Sequence, residues 1–281
     1  MSSFQIEEIE INLPDLSTQS RIASVLSAYD DLIENNEKRI KALEEMAQLL
    51  YTEWFVKFKF PHSRQSPGGQ AGHQKVRMVD SGTEYGMIPE GWRVKRLGDV
   101  SKINSENLVK GAEPEVINYI DIASVSTGKI DNIQEVFFAT APGRARRILR
   151  HGDIIWSTVR PNRKSYTLVI KPVENLISST GFAVIRASKI PYAYLYLVVT
   201  SDSFCTYLIG RTKGSAYPAV SSDDFEVATV LVPETGLLEK FNVLCEPVIL
   251  EIDKLQKQNE SLSEIRDLLI PQLVTGKKEL A

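Results

Sequence analysis

Two stretches of this chain repeat apolar residues at a helical period, and the stretch between them alternates at a strand period. Near the start, Ile22, Tyr29, Leu43 and Leu50 follow a seven-residue spacing, with Asn36 in the remaining place. Val25, Leu26, Leu32, Ile33, Ile40, Met46 and Ala47 fill the flanking positions, which makes one apolar stripe on a long amphipathic helix. The run from Ser24 to Phe55 contains neither proline nor glycine. About forty such residues in a helix would extend roughly 60 Å. Near the other end, Phe241, Val248, Leu255, Leu262 and Leu269 hold the same spacing. Pro247 predicts a short first helix, a kink and a longer second one, and Pro271 with Gly276 predicts the end.

The segments "VINYIDIASV", "IDNIQEVFFA", "GDIIWSTVR", "SYTLVI" and "TGFAVIRA" are short, rich in β-branched and aromatic residues, and divided by turn formers, so they predict strands. Pro191 to Gly210 reads better as a helix. "FPHSRQSPGGQAGHQ" has no apolar period and predicts a linker. The expected fold class is α+β. A β-rich domain over 88–232 is flanked by helical regions over 1–58 and 233–281, with the linker at 59–87.

The two helical stretches are copies of one pattern. At one constant offset, Pro14 falls on Pro233, Ile22 on Phe241, Ile33 on Ile252, Leu43 on Leu262 and Leu50 on Leu269. A seven-residue stripe calls for a partner helix. One copy leads into the middle domain and the other leads out, so they are expected to pair as an antiparallel coiled coil. The expected contacts are Ile22, Tyr29, Ile33, Leu43 and Leu50 with Val248, Leu255, Leu262 and Leu269. Asn36 on one stripe and Asn259 beside the other are residues of the kind that set register at some cost in stability. The alternative is that each helix covers a globular core.

The chain has 281 residues, 43% of them hydrophobic and 25% charged, enough for one large or two small cores. Its net charge of −3 points to no partner, but the charge is uneven. Residues 88–232 hold 18 Lys+Arg against 14 Asp+Glu, whereas 15–58 hold 5 basic and 8 acidic residues. Seven basic residues fall between Arg144 and Lys164 with Asp153 as the single acid. Arginine binds phosphate and reads guanine edges bidentately, so Arg144, Arg146, Arg147, Arg160, Arg163 and Lys164 are candidates for DNA contact. A solvated charged face is the plainer reading of "GRARRILRH". "KGSAYPAV" is a second candidate. Lys213 would meet a phosphate, Ser215 would permit close approach, and Tyr217 would stack or pack against a sugar; an ordinary surface loop explains it equally well. Charge reversal at Arg146 and Arg147 is expected to weaken DNA binding, and Leu43→Asp or Leu262→Asp to break the helix pair.

The patterns that announce an enzyme are missing. There is no GxxxxGK[ST] loop, no GxGxxG after a strand and no GxSxG elbow. His62, His73 and His151 are scattered, and no Cys/His pair has metal-ligand spacing. Asp30–Asp31 and Asp223–Asp224 read as solvated or capping pairs. No [DNS]PP[YFW] methyltransferase motif is present, and no convincing nuclease set. Neither a catalytic residue, a metal nor a cofactor is expected. Cys205 and Cys245 read as reduced cytoplasmic thiols, and no secretory or membrane-spanning run occurs.

Several stretches resemble the specificity (S, HsdS) subunit of type I restriction-modification systems. "LPDLSTQSRIASVLSAYDDLIENNEKRIKALEEMAQLLYTEWFVKF" is similar to the central conserved region. "GMIPEGWRVKRLGDV" looks like the opening of a target recognition domain, and "GDIIWSTVRP" like a strand within one. "EIRDLLIPQLVTGKKEL" is similar to the distal conserved ending. The resemblance implies a non-catalytic subunit that reads double-stranded DNA. It also implies docking of methyltransferase (M) subunits on the helices and, through them, of restriction (R) subunits. Members run recognition domain, helix, recognition domain, helix, whereas this chain runs helix, domain, helix. "FQIEEIEINLP" looks like the tail of a further recognition domain. The expectation is a half-length form, whether natural, rearranged or a fragment. It would read one half-site, or a symmetric site as a homodimer. The rival readings are a non-DNA coiled-coil adaptor, a remnant of a specificity subunit, and a free-standing nuclease or methyltransferase.

Overall fold

The two striped stretches form the two longest helices of the computed structural model, which describes residues 14–61, 77–214 and 217–275. Helix α1 spans Leu16–Tyr51 and ends in a π-helical turn, Thr52–Val56. Asp15 caps its start: Oδ1 accepts from Thr18 N and Oδ2 from Thr18 Oγ1, which holds the Asp15 carboxyl below its ordinary range. Strands β1 (Met78–Asp80), β2 (Met87–Pro89) and β3 (Arg93–Arg96) follow, then the single turn α2 (Leu97–Val100) and β4 (Ser101–Ile103). Next come β5 (Val116–Ile120), β6 (Val125–Ser126), β7 (Lys129–Ile130), β8 (Gln134–Phe137), β9 (Ala145–Ile148), β10 (Asp153–Ser157), β11 (Tyr166–Leu168), β12 (Leu176–Ser179) and β13 (Phe182–Ala187). The chain closes with α3 (Tyr192–Val199), α4 (Asp202–Arg211), α5 (Ser222–Glu226), β14 (Thr229–Val232) and α6 (Thr235–Val274).

The chain divides into two units, one made of 1–46 with 248–281 and the other of 47–247. In the first unit α1 and α6 lie antiparallel. Asp30 meets Arg266, Asn36 meets Asn259 and Arg39 meets Glu251, so numbers rise along one helix as they fall along the other. Ile22, Leu255 and Leu273 are buried, while Tyr29, Ile33, Leu43, Leu50, Val248, Leu262 and Leu269 are half-buried. Leu32 and Leu268 are exposed. Two helices side by side can each cover only part of the other's stripe, which accounts for these intermediate values.

Asn36 is 7% exposed, and its Nδ2 donates to Asn259 Oδ1 at 2.9 Å. Cutting Asn36 back to alanine leaves Asn259 without this partner. The expected loss is about 1–3 kcal/mol. Leucine at both positions should instead raise the melting temperature and loosen the register. Thermal denaturation of Asn36→Ala and of the double leucine variant checks both signs.

The second unit is β-rich. One four-stranded antiparallel sheet has the order β11-β10-β13-β4. A mixed sheet has the order β8-β5-β12-β9, in which β5 and β12 are parallel. Strands β12 and β13 are consecutive yet belong to different sheets, joined by Thr180 and Gly181. A Cβ at Gly181 would stand 2.2 Å from Ile122 Cδ1, so a side chain there would require the Ile122 side chain to shift. Ile120, Val125, Leu149, Ile155, Val169, Leu176, Phe182 and Val184 form a core cluster drawn from both sheets. Trp156, fully buried, donates Nε1–H to Val199 O at 2.9 Å and so ties β10 to the end of α3.

Three sequence expectations change. Pro191 to Gly210 is two helices, because Thr200 and Ser201 interrupt it and Ser201 Oγ caps the second by accepting from Phe204 N. Helix α6 runs unbroken through Pro247 and past Pro271 to Val274. Proline deprives only the carbonyl four residues back of its donor, and Val243 at that place is 72% exposed, so water serves it. The expected linker is described only at its two ends: residues 62–76 lie outside the described residues, and Met78–Asp80 pairs with Met87–Pro89 as a hairpin. Gly276 also lies outside the described residues.

Candidate nucleic-acid interface

The basic run from Arg144 to Lys164 occupies two different pieces of structure. Arg146 and Arg147 sit in β9, an edge strand of the mixed sheet, with Arg144 just before it. The sequence pattern did not predict this strand, since "ARRI" lacks the alternation of its neighbours. Arg160, Arg163 and Lys164 belong to a short 3-10 turn, Pro161–Arg163, that follows β10.

The first group is largely engaged. Arg144 Nε donates to Tyr119 Oη at 3.3 Å, and that hydrogen bond raises the arginine's affinity for its proton. Arg146 donates from Nη1 to Ala145 O and lies 5.1 Å from the Phe138 ring centroid. Arg147 donates to Asn107 Oδ1 at 3.1 Å, is half-buried, and is pulled below the usual arginine range by that burial. Its Nε and the hydroxyl of Ser178, which stands opposite it across the β9–β12 pairing, are buried with no hydrogen-bond partner among the described residues. Arg147 is thus partly a packing residue, and charge reversal there would disturb folding as well as any contact with DNA. Arg150 is neutralised: its Nε donates to Glu106 Oε2 at 2.7 Å.

The second group meets the other candidate loop. Arg160 N donates to Pro218 O at 2.7 Å, Val220 N to Thr158 O at 2.9 Å, and Lys213 and Ala219 exchange backbone hydrogen bonds. Tyr217 is 71% exposed, and the Arg160 guanidinium lies over its ring, 4.9 Å from the centroid. Arg163 and Lys213 are exposed. Lys164 Nζ donates to Asp202 Oδ1 at 2.7 Å. That hydrogen bond raises the lysine pKa and lowers the aspartate's. Ser215 lies outside the described residues. Pro161, at the base of the turn, is buried, and its carbonyl faces the Cys205 thiol at 3.8 Å.

The turn at Thr180–Gly181 joins the two groups. Thr180 N donates to Arg144 O at 2.8 Å, and both N and Oγ1 of Thr158 donate to Gly181 O at 2.9 Å. Sequence reasoning missed this turn. It also missed Asp202, Glu106 and Tyr119, the residues that decide which cations are already occupied. No periodicity marks them, because each acts across a gap of many residues.

Among the described residues no helix is long and apolar enough to cross a membrane. A family model described as "Type I restriction modification DNA specificity domain" matches residues 2–45. The chain is 27% identical over 292 residues to the type I restriction enzyme MjaIX specificity subunit of Methanocaldococcus jannaschii, covering 96% of this chain and 61% of that one. It is 25% identical over 182 residues to the HindI specificity subunit of Haemophilus influenzae, covering 63% of this chain and 39% of that one. The chain therefore spans about three fifths or less of the length of these relatives. Among solved structures, one chain from a study of complex assembly and conformational transition of the type I R-M system is 32% identical, with a TM-score of 0.50 over 64% of this chain and 45% of that one. The type I restriction-modification S subunit from M. genitalium shares the fold at a TM-score of 0.55 and 16% identity, over 95% of this chain and 62% of that one. The long antiparallel helices, the β-rich unit encoded between them and these likenesses point the same way: the chain is similar, over nearly its whole length, to type I restriction-modification specificity (HsdS) subunits.

Proposed function

We propose that this chain is a non-catalytic DNA-recognition subunit. Residues 88–232 act as a target recognition domain that reads a half-site in duplex DNA. The helical regions at 1–58 and 233–281 dock type I modification subunits and, through them, restriction subunits, in the cytoplasm. A second copy, joined through the helices, would extend reading to a symmetric site. The observation that carries the reading is the convergence of Arg160, at the start of the basic turn, with Tyr217 and the Lys213–Ala219 bridge of the second loop. Cations that form no salt bridge among the described residues, beside an exposed aromatic ring, match what duplex DNA offers, phosphates along the backbone and base edges between them.

Selection from a random duplex library at about physiological salt, with the chain alone and with a type I modification subunit added, tests it. Enrichment of a short motif supports recognition, and an inverted repeat with fixed spacing supports the homodimer. Absence of enrichment in both arms, with a folded preparation, overturns the reading and leaves a helical adaptor. The electrostatic part has its own check. Arg163 and Lys213 each contribute about one released counterion, so Arg163→Ala with Lys213→Ala should flatten the slope of log K against log salt by roughly 2 and lower affinity evenly across sequences. A slope equal to the parent's would remove both residues from the interface.

A further inference from the structure

The seven cations of the basic run and Lys213 are not equivalent, and their differences single out one of them. Lys164 and Arg150 are tied to carboxylates. Arg147 is half-buried against Asn107. Arg146 donates to a carbonyl next to it in the chain, and Arg144 spends its Nε on Tyr119. Arg163 and Lys213 are exposed, on side chains free to follow a phosphate. Arg160 alone combines a held backbone, a guanidinium over the Tyr217 ring and donors that no carboxylate or carbonyl occupies among the described residues.

Its backbone lies in the left-handed region at φ 52°, ψ 60°, which costs a residue with a Cβ roughly 1 kcal/mol or more. The surroundings hold it there. Arg160 N is bonded to Pro218 O, Val159 bridges to Ala219, and Thr158 is bonded to Gly181 and Val220. Lys164, at the far end of the same turn, is also left-handed at φ 53°. Two strained basic residues therefore bracket Pro161–Arg163, and buried Pro161 fastens the turn from below. The Arg160 guanidinium carbon lies over the Tyr217 ring, 4.9 Å from its centroid. A guanidinium that rests on a ring spends no N–H donor on a carboxylate or carbonyl, and its planar fork of donors matches O6 and N7 of guanine in the major groove.

The geometry points to Arg160 as a specificity-determining residue. It reads a guanine bidentately within the half-site, with Tyr217 as the positioning residue that aims it. This rests on the recognition function proposed above and adds to it a base, a groove and a residue.

The test repeats the library selection with Arg160→Ala, Arg160→Lys, Tyr217→Ala and Arg144→Ala, each checked for parental circular dichroism. The parent should enrich a motif with a guanine at a defined position. Arg160→Ala should lose about 10- to 100-fold of the preference at that position while the rest of the motif persists. Arg160→Lys should not restore it, because an ammonium has no planar fork. Tyr217→Ala should weaken the same position and no other, which is the readout a merely structural role would not give. A preserved guanine preference in Arg160→Ala overturns the assignment, as does loss of that preference in Arg144→Ala alone. A parent that enriches no motif overturns the recognition function itself and the assignment with it. A parent motif without a guanine overturns the assignment and leaves recognition standing.

Discussion

Arg186→Ala is expected to destabilise the β-rich unit by about 3–5 kcal/mol, the range for removing one member of a buried ion pair. Asp153 is fully buried at the start of β10. Its two carboxylate oxygens accept from Arg186 Nε at 2.7 Å and Nη2 at 2.8 Å, while the Arg150 backbone N donates to Oδ2 at 2.7 Å. Arg186 also donates Nη1–H to Glu106, which binds Arg150 from its other oxygen. The hydrogen bond to Asp153 is the largest of the effects that raise the Arg186 pKa. Alanine at 186 would leave a carboxylate inside the protein with one backbone donor. The ion pair itself need not be strongly stabilising, because desolvation offsets its Coulombic gain; the cost lies in orphaning one partner. Replacing both, Asp153→Asn with Arg186→Met, should therefore recover most of the loss. Urea denaturation of the single and double variants measures the coupling. A single variant that loses under about 1 kcal/mol would mean that water reaches Asp153 and serves it.

Phe55→Ala should cost a similar amount, about 3–5 kcal/mol, for a different reason. Phe55 lies in the π-helical turn that ends α1 and is 4% exposed. Its ring centroid lies 4.7 Å from that of Tyr194, 4.8 Å from Phe241, 5.7 Å from Tyr51 and 5.8 Å from Trp92. Trp54 reaches Phe241 at 5.8 Å beside it. Truncation would remove the ring shared by five aromatic contacts, the fifth with Trp54 at 6.2 Å, and leave a cavity that rigid neighbours cannot close. The π turn, with its extra residue, rotates the chain so that Trp54 and Phe55 are both buried while Val56 is exposed. The "TEWFVKF" stretch thus has a physical role that its family resemblance alone does not explain. A melting temperature unchanged in Phe55→Ala would show that the cluster repacks around the missing ring.

The long helices were legible in the sequence, because a seven-residue apolar period over Ile22–Leu50 and Phe241–Leu269 leaves few other structures open. Their antiparallel order followed from the repeat and from the place of each copy relative to the domain between them. Most strands were legible for the same local reason, since β10, β11 and β13 carry β-branched and aromatic residues between turn formers. Strand β9 was not, because its two arginines replace the alternation and only pairing with β12 makes it a strand. The break at Thr200–Ser201 and the continuity through Pro247 were misjudged because a cap and a solvated carbonyl count for more there than composition.

By itself, then, the sequence determined the helices, the β-rich character of the middle unit and the likeness to type I specificity subunits. It also placed an excess of cations in that unit, since charge and periodicity are properties of neighbours along the chain. Tertiary structure alone decided which of those cations remain available. Glu106 lies far from Arg150 in sequence, Asp202 far from Lys164 and Tyr217 far from Arg160, and each pair forms only when strands and loops close around a common core. Whether an arginine is neutralised, packed or held ready depends on what stands within a few ångströms of its guanidinium, and no pattern along the chain encodes that distance.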